Sequence, residues 1–147
     1  MYNQPAILHY SEECFHGESI DRIIAEAKLK LAHLDYDTFV CRGMSGCLLT
    51  PFLAKEFNKR LCVVRKESNC HDFKTVIGHK PLKNYIIVDD FISSGSTIQS
   101  ILDNMNVEHK CVCIFLYSAD YDVQHYIDRL SGIGIISIPI ITISRFQ

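Results

Sequence analysis

Apolar positions along the chain follow two rhythms: short unbroken runs, and longer stretches with apolar residues three or four apart. From Ser19 onward, Ile20, Ile23, Ile24, Ala27, Leu31 and Leu34 fall at helical spacing, and Ser19 suits the N-cap. Residues 38–41 read as a short buried strand, ended by Arg42, Gly43, Met44, Ser45 and Gly46. A second helix follows with Leu48, Leu49, Phe52, Leu53 and Phe57 on one face, and Pro51 is expected in its first turn, where proline is tolerated. Residues 61–65 form the next strand. The stretch 67–83 is polar, with scattered apolar residues and no period, and reads as a loop of lid length. Tyr85, Ile86, Ile87 and Val88 make an apolar run of the kind buried on both faces of a parallel sheet. Beyond it the pattern predicts a helix from about 97 to 105, a strand over 111–117 and a short helix over 121–130. One or two strands follow over 135–143, with Pro139 at a bend or edge. A short strand is also expected at 6–10.

Strands alternating with helices predict an α/β fold built on a single doubly wound, mostly parallel sheet. In such sheets ligands bind beyond the carboxyl ends of the strands. The Arg42–Gly46 loop, the corner at Arg65 and Lys66, and the loop from Asp89 to Thr97 all follow carboxyl ends, so they are expected on one rim.

A length of 147 residues suits one domain spanning 1–147. Hydrophobic residues make up 48% and charged residues 22%, as in an ordinary globular protein. Net charge is −2 with no run of Lys or Arg, which argues against a nucleic-acid surface. The start, Met1-Tyr2-Asn3-Gln4-Pro5, lacks the features of a signal peptide, and the longest apolar stretch, 132–143, is too short to span a membrane. Seven cysteines without CxxC spacing form neither a disulfide framework nor a zinc ribbon. Most lie in apolar runs, so the expectation is a reducing, cytoplasmic setting. None is paired with a convincing base. The histidines at 9, 16, 33, 79, 109 and 125 make no metal-ligand pattern, and neither GxGxxG nor GxxxxGK[ST] occurs.

The chemistry concentrates after Val88. Asp89 and Asp90 are followed by Phe91 and Ile92, then by Ser93, Ser94, Gly95, Ser96 and Thr97. Such a loop at a helix start offers a phosphate hydroxyls, backbone N–H groups and a residue free in φ. Adjacent carboxylates would repel that phosphate unless they face something else, such as the diol of a ribose or a bound Mg²⁺. A plain strand-to-helix turn with Asp and Ser as turn and cap residues is the alternative.

The run from Ile86 to Thr97 resembles the phosphoribosyl-pyrophosphate (PRPP) signature of type I phosphoribosyltransferases: hydrophobic residues, two acids, two hydrophobics, two Ser/Thr, Gly, any residue, Ser/Thr, matched without a gap. The resemblance covers roughly residues 38–117. It implies that Asp89 and Asp90 take the ribose hydroxyls, and that Ile92, Ser93, Ser94, Gly95, Ser96 and Thr97 take the 5′-phosphate. Arg42, Gly43, Met44, Ser45 and Gly46 resemble the pyrophosphate loop. The segment from Val63 to His71 is most similar to the mobile catalytic loop of orotate phosphoribosyltransferases, with Arg65, Lys66 and His71 in catalytic places. Asn69 departs from the pattern by replacing a lysine that stabilises pyrophosphate there, and Asp72 replaces a glycine. The spacing supports neither Lys74 nor Lys80 as a substitute.

By the same resemblance, the reaction is transfer of the phosphoribosyl group of Mg²⁺–PRPP to a nucleobase, orotate or another pyrimidine among the candidates, with release of pyrophosphate. The Mg²⁺ travels with PRPP and reaches Asp89 and Asp90 through water, and the protein is a homodimer. The base-recognising hood is short, from about 1–16 and 120–147, and does not reveal the base. A PRPP- or nucleotide-binding sensor without transfer activity is the competing expectation. A flavodoxin-like phosphate-binding protein would leave Asp89 and Asp90 without a role.

Overall fold

The computed structural model describes residues 17–66, 75–119 and 121–144. The expected strand at 6–10, His71, Asn69 and the whole first hood segment lie outside the described residues, whereas 121–144 of the second hood segment are described.

The first element among the described residues is helix α1 (Gly17–Leu31), which buries Ile23, Ile24, Ala27 and Leu31 along one stripe. Ser19 is inside this helix, not its cap, because the helix starts at Gly17. Strand β1 (Thr38–Arg42) leads directly into helix α2 (Gly43–Glu56), and strand β2 (Arg60–Val64) follows. Next come β3 (Val76–Gly78), β4 (Asn84–Asp89), helix α3 (Ser96–Asn104), β5 (Lys110–Ala119), helix α4 (Val123–Ser131) and β6 (Ile140–Ser144). No helix among the described residues is long and apolar enough to cross a membrane.

Three expectations change. The predicted loop at 42–46 is mostly the first turn of α2, so Pro51 lies in the helix interior rather than its first turn. Its ring is exposed, and Thr50 beside it donates its hydroxyl to the Gly46 carbonyl at 2.6 Å, a bond that accompanies bent helices. Phe52, expected on the buried face, is 48% exposed, while Leu49 and Leu53 are completely buried. The expected lid contains β3, which pairs antiparallel with β2 through Val64↔Val76. Among the described residues from 135 onward only Ile140–Ser144 is a strand, and Pro139 precedes it, its carbonyl accepting from Ile114 N–H at 2.9 Å.

The six-stranded sheet has the order β3-β2-β1-β4-β5-β6, parallel except for β3. It is doubly wound. Alternate residues of the central strands enter opposite cores: Phe39, Ile86, Val88 and Phe115 pack with α1 and α2, whereas Val40, Ile87, Ile114 and Leu116 pack with α3 and α4. Burial on both faces is why β4 carries four consecutive apolar residues.

Opposite the rim, Asp37 ties three strands together at their amino ends. Its carboxylate accepts N–H bonds from Leu82 at 2.9 Å, Lys83 at 2.7 Å and Asn84 at 3.0 Å, and its own carbonyl accepts from Arg60 N–H at 2.9 Å. Partial burial works against ionisation, but the hydrogen bonds from Thr38 and these amides outweigh it and hold the carboxyl below its usual value. Asp37→Ala should therefore lower stability by about 1–3 kcal/mol at pH 7. Since the folded-state value is depressed, the native carboxylate's contribution persists above about pH 4 and is lost as the pH falls further. Urea denaturation of both proteins at pH 7 and pH 3.5 checks this, with the two curves converging at the lower pH.

Candidate functional site

Strand order reverses between β1 and β4: from β1 the chain moves outward to β2, and from β4 it moves the other way to β5. The turns leaving these two neighbours therefore part, opening a crevice at their carboxyl ends. There a cavity of about 210 Å³ is lined by Arg42 and Ser45 from the β1–α2 turn, Lys66 beyond β2, and every residue from Asp89 to Ile98.

Asp89 and Asp90 are only 6% and 8% exposed. Asp90 N–H donates to Asp89 Oδ1 and Phe91 N–H donates to Asp90 Oδ1, each at 2.9 Å, so the turn satisfies one oxygen of each carboxylate. Ser45 Oγ reaches Asp89 Oδ1 at 3.5 Å. Burial, and then the neighbouring Asp90, push the Asp89 carboxyl up to about 8, with Lys66 pulling weakly the other way. Burial and the neighbouring carboxylate thus favour the protonated form of Asp89, and donors from a ligand would favour the carboxylate.

The following loop is shaped from behind. Gly95 takes φ +85°, a left-handed backbone that demands glycine, and a Cβ there would stand 2.6 Å from Ile133 Cδ1 and 3.3 Å from Leu130 Cδ2, so those side chains would have to shift. Arg129 of α4 donates from Nη1 to the Ser93 carbonyl. Within the loop, the Ser94 and Ser96 hydroxyls are 3.0 Å apart, and Ser96 N–H donates to Ser94 Oγ at 3.3 Å. Helix α3 then starts at Ser96, and its first N–H groups have no partner within the helix. Hydroxyls and a helix N-terminus give this side of the cavity the groups an anion needs.

Of the residues singled out in the sequence, the fold gathers Arg42, Ser45, Lys66, Asp89, Asp90, Ile92, Ser93, Ser94, Gly95, Ser96 and Thr97 around the cavity. Gly43, Met44 and Gly46 do not line it. Met44 is 77% exposed. Gly46 lets α2 rest on the sheet, since a Cβ there would lie 2.8 Å from Cys41 Cβ and 3.1 Å from the Val88 carbonyl. Gly43 leaves room for the Lys66 chain, whose Cε would be 2.7 Å from an added Cβ. Arg65 does not line the cavity either; its N–H donates to the Thr75 carbonyl at 2.7 Å. Phe91 and Ile98 join the lining, and Arg129 and Ile133 support it, without having been singled out. Arg129 meets a partner 36 residues away, which no local pattern signals.

Among the described residues no group of three or more His, Cys, Asp or Glu could hold a metal ion. Two carboxylates suit a Mg²⁺ that brings its other ligands on a phosphate.

No protein-family model matches the sequence, and no curated protein matches it either. Solved structures do match. UMP synthase of Leishmania donovani superposes with a TM-score of 0.71 at 14% identity, over 92% of this chain and 29% of that one. Adenine phosphoribosyltransferase of Thermoanaerobacter pseudethanolicus gives 0.66 at 13% identity, over 90% and 83%. The chain has the type I phosphoribosyltransferase fold. A further example of that fold, the orotate phosphoribosyltransferase of Mycobacterium tuberculosis in complex with PRPP, gives 0.63 at 12% identity, over 90% and 76%. The chain thus spans less than a third of the UMP synthase and most of the two single-activity transferases.

Two outcomes follow for a phosphoribosyltransferase fold with this rim. Gly95→Ala should cost about 1–3 kcal/mol in a denaturant titration, since the added methyl meets both a left-handed φ and Ile133. Asp89 has a folded-state value raised above the unfolded one, so its effect on stability worsens as the pH rises from about 4 to about 8. Asp89→Asn should accordingly stabilise the ligand-free protein by about 1–3 kcal/mol at pH 8, with the gain shrinking toward pH 5. Thermal melts across that range would contradict this if the two proteins kept a constant difference.

Proposed function

We propose that the protein transfers the 5-phosphoribosyl group of Mg²⁺–PRPP to a nucleobase or another nitrogen nucleophile and releases pyrophosphate. One observation carries this reading: a buried carboxylate pair and a hydroxyl-rich helix N-terminus share a single cavity at the switch point of this fold. A phosphate site alone would exclude the carboxylates, and a metal site alone would leave the loop unexplained. A phosphorylated ribose uses both. The cavity is smaller than drug-sized ligand sites, and that suits the ribose 5-phosphate part of PRPP.

In the proposed reaction Asp89 and Asp90 accept hydrogen bonds from the 2′ and 3′ hydroxyls, while the 93–97 loop holds the 5′-phosphate. The ribose is fixed at both ends, so C1 presents one face to the nucleophile. The C1–O bond to pyrophosphate breaks with its electron pair leaving on the pyrophosphate, the nucleophile's nitrogen bonds C1, and the nitrogen's proton goes to solvent. Arg42 and Lys66 face the departing anion; Arg65 and His71 join them by resemblance alone. Mg²⁺, carried by PRPP, supplies further charge against the pyrophosphate. A homodimer and a cytoplasmic setting belong to the same proposal.

A second reading, a PRPP-binding sensor without transfer, is favoured by Asn69, which stands where the similar orotate enzymes carry lysine. Calorimetric titration with Mg²⁺–PRPP, followed by a nucleobase panel scored for pyrophosphate release, separates the two. Asp89→Asn and Asp90→Asn should each weaken binding by about 10- to 100-fold, the value of a lost charge-assisted bond. Absent binding, or variants that bind like the parent, would sink the proposal. Binding without release across the panel selects the sensor.

A further inference from the structure

Two thiols that the proposed transfer does not use lie at the β1–α2 wall of the cavity. Cys41 on β1 is completely buried, Cys47 near the start of α2 is half-buried, and their sulfurs stand 3.5 Å apart. Both are free. We propose that Cys41 and Cys47 form a reversible oxidation site, whose disulfide reshapes the Arg42–Ser45 wall and weakens binding of the phosphoribosyl ligand. The effect on the ligand rests on the function proposed above; the oxidation does not.

The two thiols are unequal in a way that suits stepwise oxidation. Cys47 has access to solvent, and the thiol–thiol hydrogen bond it shares with Cys41 lowers its pKa against the opposing effect of burial. Cys41 is pushed up by that same bond and by burial, so it keeps its proton. With a hydroperoxide as oxidant, the Cys47 thiolate attacks the O–O bond and takes one oxygen, giving a sulfenic acid; the other oxygen leaves and is protonated to water. Cys41 sulfur then attacks the Cys47 sulfur. The S–O bond breaks, the hydroxide leaves with the Cys41 proton as a second water, and the disulfide forms. Two thiols lose two electrons in all, and one hydrogen peroxide becomes two waters.

Closing the bond brings the sulfurs from 3.5 Å to about 2.05 Å. The helix has little room to follow as a body, because Gly46 lies so close to the sheet that an added Cβ would stand 2.8 Å from Cys41 Cβ and 3.1 Å from the Val88 carbonyl. Displacement beyond what side-chain rotation supplies passes into the turn at 42–46. Ser45 is held there from two sides, its Oγ reaching Asp89 at 3.5 Å and its carbonyl accepting from Tyr117 Oη at 2.7 Å. Moving Ser45 and Arg42 disturbs both the carboxylate and the cationic side of the cavity. Cys111, by contrast, donates its thiol to the Cys113 carbonyl rather than to a sulfur.

The test treats the full chain with hydrogen peroxide and maps peptides after cleavage at Arg42, which separates the two cysteines. Amide exchange over 42–46 and Mg²⁺–PRPP affinity are measured before oxidation, after it, and after dithiothreitol. The expected result is a joined Cys41–Cys47 peptide, altered exchange at 42–46, and affinity reduced by about tenfold or more, all restored by the reductant. Cys47→Ser should bind like the reduced parent and ignore peroxide. No joined peptide, a joined peptide with unchanged exchange and affinity, or equal loss of affinity in Cys47→Ser would each overturn the proposal. If the reduced protein binds no PRPP, the transfer reading fails by itself, and the joined peptide with the exchange at 42–46 still decides the oxidation site.

Discussion

Two adjacent carboxylates at the end of a strand buried on both faces are the constraint on which this structure turns. Asp89 and Asp90 cannot retreat into solvent, because β4 lies between β1 and β5 and delivers them straight from the core into the cavity. One oxygen of each is satisfied by the N–H of the next residue. Burial and the adjacent charges penalise ionisation of the pair, which raises the Asp89 pKa. On the reading offered here a ribose diol relieves that penalty with two hydroxyl donors. The same burial that lowers stability at neutral pH therefore prepares the site for its ligand.

The rest of the rim follows from how closely the elements approach. Gly46 lets α2 sit on β1 and β4, bringing Ser45 to Asp89. Gly95 lets the Ser93–Thr97 loop lie against Leu130 and Ile133, while Arg129 donates to the Ser93 carbonyl. Helix α4 is thus the back wall of a loop it follows in sequence by about thirty residues. Cys41 and Cys47 occupy the corresponding place behind the opposite wall, and this is what makes their oxidation consequential.

Much of this was legible in the sequence, for a local reason. Burial on both faces writes β4 as an unbroken apolar run, and the chemistry follows within nine residues, so strand, carboxylates and loop are read together. The alternation of strands and helices likewise gives the doubly wound sheet. Other features depend on contacts between distant segments. Strand β3 is three residues long at the sheet edge, with Ile77 46% exposed, so neither length nor burial marks it, and its pairing is set by β2. The stretch Gly43-Met44-Ser45-Gly46 looks like a loop because of its glycines, yet only Gly43, at φ +79°, departs from helical backbone, and Gly46 serves the close approach to the sheet. Arg129 gives no signal, because its partner is a backbone carbonyl that only the fold brings near.

The most direct measurement is the titration of Asp89 itself, followed by carboxyl-carbon NMR with Asp89→Asn to assign the resonance. The expected result is a midpoint near 8 in the ligand-free protein and a downward shift when Mg²⁺–PRPP is bound, as its hydroxyls and cation favour the carboxylate. A midpoint near the ordinary aspartate value of about 4, unchanged by the ligand, would contradict it.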